Sequence, residues 1–315
     1  MARILVYDSV SAAGGAGGEL LAAGLAMRDA IVDDLRALAG VSVTCAVPRS
    51  AGCRQSGSFA SVAPRPGEDA PAFVGRLAAV HDLAWVVAPE TGGELGRLHA
   101  AVGDARWIGC SAAAIRRAGS KSATLHALAA AGVPTPLDDV ANPGTRWLVK
   151  PDDGAGCLST RVHRDHDSAC AHRQPGDTLE PFVEGEPLSI SMIVGAELAT
   201  AVSYNRQRIA IDGDGRLSDL GVQPAALDAA SDPRIPALAA VAAATARALP
   251  GLRGFVGIDG VWNEQRGAGV IEVNPRLTCA YVGLSARLGR NLAAEVLRLS
   301  AAGAACQEHG DDVHA

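Results

Sequence analysis

Apolar positions along this chain come in short runs separated by glycine, proline and charge. Residues 4–7 (Ile-Leu-Val-Tyr), 41–47 and 81–88 read as buried strands, and a helical pattern spans 19–39. Between them, 52–70 is rich in glycine, serine and proline and reads as a loop. This alternation predicts a small parallel α/β domain over residues 1–109. Helices follow at 112–118 and from Lys121 to about Ala131, the second opened by Ser120 and stopped at Gly132-Val133-Pro134. From Arg146 the pattern turns strand-rich, with runs at 146–150, 178–184, 188–194, 198–204, 255–262 and 269–273 and helices at 235–248 and 289–300. The expected units are 1–109, a central 110–184, a C-terminal 185–305 and a polar tail over 306–315. A chain of 315 residues accommodates two or three such units.

Composition changes the picture at one point. Lysine and arginine number 28, but only Lys121 and Lys150 are lysines. Where arginine serves as the generic cation, the two surviving lysines mark places that need a compact, flexible ammonium, such as one reaching a phosphate oxygen. A net charge of −6, with no basic stripe carrying interleaved aromatics, argues against a nucleic-acid binder. No apolar run reaches the ~20 residues of a membrane span, and the N-terminus lacks signal-peptide architecture. The seven cysteines are scattered without a CxxC pair, so reduced thiols and a cytoplasmic location are expected.

The densest chemistry lies at 254–276. Glu272 and Asn274 are two apart in a strand and share a face. The turn at 264–267 brackets the midpoint between Asp259 and Glu272, so a simple hairpin sets Asp259 opposite Glu272 and Gly257 opposite Asn274. Three hard oxygen donors then converge, as Mg²⁺ shared with phosphates prefers. Lys150 ends an apolar strand and enters a loop whose Gly154 and Gly156 can bring backbone N–H groups over phosphates. Residues 178–186 offer backbone donors and acceptors to a flat purine edge.

Taken in order, these pieces resemble the ATP-grasp family: a Lys-bearing helix, LVKP with its glycine loop, LEPFVEGE, and GIDGVW…IEVNPR. The resemblance implies an α/β N-terminal domain followed by α+β ATP-grasp domains, with the nucleotide held between two subdomains. It implies that Lys121, Lys150, Gly154 and Gly156 hold the ATP phosphates and that Glu180 and the Val183 backbone read adenine. Asp259, Glu272 and Asn274 would bind two Mg²⁺ or Mn²⁺ ions, and Arg276 would steady the transferred phosphate. Pro187 stands where many members carry an acidic ribose contact, which makes Glu186 the nearest substitute.

The runs at 88–93, 203–207 and 274–284 are similar to the tyramine–glutamate ligases of methanofuran biosynthesis. That similarity implies a small-molecule carboxylate and amine as partners and a homodimer. It marks Asn205, Arg206 and Tyr281 as substrate-side residues, and the loop carboxylate Glu90 is a candidate contact for a substrate ammonium. Rival readings are ligation of a different acid and amine, or a nucleotide-binding regulator without turnover. His163, His166 and His172 lie in a polar connecting segment with no cysteine to complete a tetrahedron, and are read as solvent-exposed and not as a transition-metal site. The loop at 14–18 misses the dinucleotide register and is expected to shape a substrate-side helix N-terminus. Cys157 and Cys279 have no evident base and are not read as nucleophiles.

Overall fold

The computed structural model describes residues 1–14, 17–142 and 144–308. Strand β1 (Ala2–Asp8) buries Ile4 and Val6 on one face and Leu5 and Tyr7 on the other. Burial on both faces suits a central strand of a parallel sheet covered by helices. Around it stand β2 (Val41–Ala46), β3 (Arg54–Ser56), β4 (Phe59–Val62), β5 (Leu83–Val87) and β6 (Trp107–Ile108), in the order β3-β4-β2-β1-β5-β6. All pairings are parallel except the β3–β4 hairpin at one edge. That hairpin lies inside 52–70, expected as a loop. Its strands are too short for alternation to register, and they form by pairing onto β2.

Four helices accompany this sheet: α1 (Ser9–Ala13), α2 (Gly18–Arg36), α3 (Ala70–Ala78) and α4 (Glu94–Val102). Ile31, Val32 and Leu35 of α2 cover the Ile4 face, while Phe73, Leu77, Leu95 and Leu98 cover the Leu5 face. Between β1 and the glycine-rich stretch the chain makes the short helix α1. Asp8 accepts the Ser11 N–H at 2.7 Å and caps α1, which ends at a left-handed Gly14. Gly15 and Ala16 lie outside the described residues.

Helices α5 (Ala112–Ala118) and α6 (Lys121–Ala130) start at serine caps, Ser111 and Ser120. Next come β7 (Trp147–Pro151), β8 (Arg161–His163), α7 (His166–His172) and β9 (Asp177–Pro181), with the strands forming an antiparallel sheet β8-β7-β9. The histidine segment, expected as a polar connection, is thus largely helix α7, capped by Asp165. A second antiparallel sheet, β12-β11-β10-β13-β14, comprises β10 (Glu186–Val194), β11 (Ala199–Ile211), β12 (Leu217–Gln223), β13 (Gly254–Asn263) and β14 (Gly267–Asn274). Helix α8 (Ile235–Ala248) packs Leu238 and Ala242 against Leu188, Ile190, Ile258 and Val270 on one of its faces. The other face, carrying Ser189, Asp259 and Glu272, looks toward the three-stranded sheet.

The two antiparallel sheets meet at two places. The chain passes directly from β9 to β10, and at another edge the Val162 N–H donates to the Gly215 carbonyl at 2.7 Å and the Leu217 N–H to Thr160 at 3.0 Å. Between them lies a cleft. Helices α9 (Leu284–Leu288) and α10 (Leu292–Glu308) return to the first sheet, where Phe255, Tyr281, Leu292 and Val296 join Ile4, Val6 and Trp85 in one core. Helix α10 reaches Glu308, past the start of the expected polar tail; residues 309–315 lie outside the described residues. No helix among the described residues is long and apolar enough to cross a membrane.

Candidate active site

The hairpin β13–β14 brings Asp259 opposite Glu272 and Gly257 opposite Asn274, but it is not a simple hairpin. Near the turn Gly260 pairs with Val270, and the register then slips by one, leaving Ile271 as an extra residue. This bulge reverses the strand's parity. Val270 and Val273 both face the α8 core, three apart instead of two, and Glu272 and Asn274 are turned to the cleft beside Asp259. Unbroken pairing from the turn would set Glu272 against Ile258, on the wrong side of the sheet.

Within the trio, the Asn274 amide donates to Asp259 at 3.0 Å, and Gln207 from β11 donates to the other Asp259 oxygen at 3.0 Å. Burial and the facing Glu272 push the Asp259 carboxyl up to about 7. A hard cation would relieve that accumulated negative charge, and the donor set of two carboxylates and an amide suits Mg²⁺ or Mn²⁺. The residues fit.

Both lysines reach this cleft. Lys121, the first residue of α6, places Nζ 3.0 Å from Glu272 Oε1 and also donates to the Gly154 carbonyl. Lys150 on β7 pairs with Glu180 of β9 at 2.6 Å, both side chains being almost fully buried. Burial opposes the Lys150 charge, but Glu180 and Glu272 outweigh it and raise its pKa. The second Glu180 oxygen is buried without a hydrogen-bond partner, an acceptor left open for an N–H donor.

The glycine loop is anchored by two residues that sequence reasoning passed over. Asp152 accepts from Ser120 Oγ at 2.6 Å and from the Ser122 N–H at 2.8 Å, holding the loop to the start of α6. Asp153 accepts the Gly92 N–H at 2.7 Å from the loop that follows β5. Their signal was the acidic pair directly after LVKP. Gly156 takes a left-handed conformation (φ 66), and so do Cys157 and Ser159, an unusual run for residues with side chains. Burial pushes the Cys157 thiol up to about 11, so it is protonated at neutral pH.

Arg276 Nη2 pairs with Glu90 at 2.9 Å, joining the end of β14 to the first sheet. Burial opposes the Arg276 charge, but Glu90 first and then Glu272 more than compensate. Val183 lies in the β9–β10 connection and lines a cavity of about 220 Å³ with Pro134, Val261 and the bulged Ile271.

Four expected site residues present no free group to the cleft. Glu186 shares the parity of Leu188 and Ile190, so it faces the α8 side, where Arg206 holds it at 2.6 Å and Arg234 at 2.5 Å. That removes both Glu186 and Arg206 from the cleft. Asn205 is completely buried, bonded to Ser189, Ser191, Ser203 and the Ala225 N–H, a closed polar network with nothing left for a ligand. Tyr281 is buried against Trp85 and Phe255 and donates to Asp34 of α2 at 2.5 Å, a packing role between the chain's two ends. Among the described residues no three His, Cys, Asp or Glu side chains form another metal cluster. The His163 ring lies against His172, and His166 against Trp147.

Residues 118–280 match the ATP-grasp domain family and residues 41–115 the pre ATP-grasp 3 domain. The chain belongs to the ATP-grasp family. It is 31% identical over 206 residues to a tyramine–L-glutamate ligase of Methanocaldococcus jannaschii, covering 64% of this chain and 58% of that protein. A tyramine–L-glutamate ligase of Methanocaldococcus fervens is 29% identical over 182 residues, covering 56% of this chain and 52% of that protein. The matched region thus spans little more than half the length of these relatives. Among solved structures, an Archaeoglobus fulgidus protein assigned to the ATP-grasp superfamily superposes with a TM-score of 0.69 at 20% identity, covering 94% of this chain and 88% of its own. D-alanine–D-alanine ligase from Bacillus anthracis gives 0.65 at 15% identity, covering 95% and 97%. These two establish the fold.

Proposed function

We propose that the chain is an ATP-dependent ligase that activates a carboxylate as an acyl-phosphate and joins it to a primary amine. The substrate pair we assign is L-glutamate and tyramine or a closely related amine. The observation that carries the reading is the meeting of Asp259, Glu272 and Asn274 with both lysines in one cleft, Lys121 lying directly on Glu272. The names of the curated relatives support the substrate pair.

In this reading Lys121, Lys150 and the glycine-loop amides hold the phosphates of ATP, while Glu180 and the Val183 backbone read adenine. Asp259, Glu272 and Asn274 would hold divalent metal, which would supply charge neutralisation between two anionic reactants. The glutamate carboxylate attacks the γ-phosphorus, the bond to ADP breaks, and a mixed anhydride forms. The amine then attacks the carbonyl carbon, phosphate leaves, and the nitrogen loses a proton to give the amide. A carboxylate cannot expel oxide, so phosphorylation supplies the leaving group. The protein's part is positioning and electrostatics, with Arg276 set beside the transferring group.

The test is ADP release by purified protein with ATP and Mg²⁺, given L-glutamate, tyramine, or both. Turnover that needs both and forms ADP is the expected result. Tight Mg²⁺-dependent ATP binding without turnover would keep the nucleotide site and reject the substrate pair; no binding at all would reject the site.

A further inference from the structure

Resting on the ligase reading above, we propose that Glu90 receives the primary ammonium group of a substrate, and that its pairing with Arg276 restrains phosphoryl transfer until that group arrives. Glu90 follows β5 at its C-terminal end, beside the end of β1, where the order of the parallel sheet reverses. Such a reversal opens a crevice at the strand ends, the usual place for a ligand in an open α/β sheet.

The Glu90 side chain is only 6% exposed. One oxygen takes Arg276 at 2.9 Å, while the other, Oε1, is buried with no hydrogen-bond partner. A buried, unpartnered carboxylate oxygen is costly, and a cationic N–H donor satisfies it best. Arg276 is incompletely satisfied as well: Nε has no partner, and Nη1 makes only a long 3.4 Å contact with the Leu277 carbonyl. The guanidinium pairs with Glu90, in the loop after β5, and also feels the charge of Glu272 in the metal trio. While it is held on Glu90 it is withheld from the phosphates. An ammonium on Oε1 shares the carboxylate's charge, weakens that hold, and leaves Arg276 free for the transferring phosphoryl group.

The same loop holds the other phosphate-handling parts. Gly92 and Gly93 are both left-handed (φ 62 and 71), and Arg97 pins the Gly92 carbonyl at 2.5 Å. The Gly92 N–H then reaches Asp153 Oδ2 at 2.7 Å, and Thr91 Oγ1 donates to the Asp153 carbonyl at 3.0 Å. The next residue, Gly154, takes the Lys121 ammonium on its carbonyl. Arg276, the glycine loop and, through it, Lys121 are all tied to residues 90–93. A restraint of this kind keeps ATP intact until an amino substrate is bound.

The experiment measures ADP release from ATP and Mg²⁺ alone, where water takes the phosphoryl group and phosphate forms, then with L-glutamate, tyramine or both, in wild type, Glu90→Gln and Asp153→Asn. Without substrates, both variants should release ADP about tenfold or more faster than wild type, the factor lost with one charge-assisted hydrogen bond. Glu90→Gln should also raise KM for one amino substrate and leave KM for ATP within about twofold. Whether KM for glutamate or for tyramine moves tells an α-ammonium from the attacking amine. Substrate-free rates at or below wild type in both variants would overturn the restraint, and unchanged KM values for both amino substrates would overturn the ammonium site. A Glu90 variant that fails to fold leaves the restraint to be decided by Asp153→Asn, in a half-buried loop. Failure of wild type to turn over with the pair counts against the ligase substrates, while the substrate-free rates still decide the restraint.

Discussion

Asp259 and Glu272 face one another across a single strand pair, and most of the site's behaviour follows from that. Glu272 also carries the contact with Lys121. Replacing it by Gln should lower ADP formation by about 100-fold or more while leaving the circular dichroism spectrum unchanged. Near-normal turnover would remove Glu272 from the site. Asp259 makes a second prediction, on stability. Burial and Glu272 raise its carboxyl from an ordinary 3.8 to about 7 in the native protein. Between those values the native state holds a proton that the unfolded chain has given up. Metal-free protein therefore loses stability as pH rises from about 4 to about 7, and the loss is complete above that window. Asp259→Asn removes this term, so its advantage in Tm over metal-free wild type should grow between pH 5 and pH 7.5. A difference independent of pH would contradict the shift. At this scale the sequence was informative wherever residue type narrowed the chemistry. Two lysines amid arginines pointed to two cleft positions, and both are there. Asn205 and Tyr281 misled because a polar side chain in a motif does not reveal whether it faces a ligand or a buried network.

Among the elements, β14 decides most. Its bulge at Ile271 lets the strand bury Val270 and Val273 against α8 and still present Glu272 and Asn274 to the cleft. Gly260 sits opposite the bulge, where an added Cβ would lie 2.6 Å from the Gly269 carbonyl oxygen. Gly260→Ala should force β14 away, destabilise the protein by about 1–3 kcal/mol in denaturant unfolding, and weaken the Mg²⁺ dependence of ADP release. Unaltered stability and Mg²⁺ dependence would mean that the bulge yields freely. The pairing of Asp259 with Glu272 could be read from the turn and the period of two, but the bulge could not. Its only trace was apolar residues three apart at 270 and 273, a spacing that short strands tolerate for many reasons. The longer elements were legible because their periodicity extends over many residues. The hairpin at 54–62, β8 and β12 were not, since the first two are only three or four residues per strand and β12 is largely exposed, so no apolar period marks them.

At the scale of the whole molecule, the N-terminal α/β layer, the cleft and the C-terminal helices form one connected structure. Ile4 and Val6 of β1 share a core with Phe255, Tyr281 and Val296, and Glu90 meets Arg276 across 186 residues. No local pattern encodes that pairing. It emerges only when the first sheet and β14 come together, which is why the Glu90–Arg276 contact lay beyond the sequence while the family did not. The amino-substrate site proposed above lies at the strand ends of the first sheet, near the carboxylate cleft. In the proposed reaction, chemistry passes through an acyl-phosphate formed there. The most direct measurement is turnover of L-glutamate carrying ¹⁸O in its side-chain carboxylate, with tyramine, ATP and Mg²⁺, followed by mass spectrometry of the released phosphate. The account predicts one labelled oxygen in phosphate for each amide formed, with ADP as the other product. Amide formed with unlabelled phosphate, or with label carried into AMP, would contradict it.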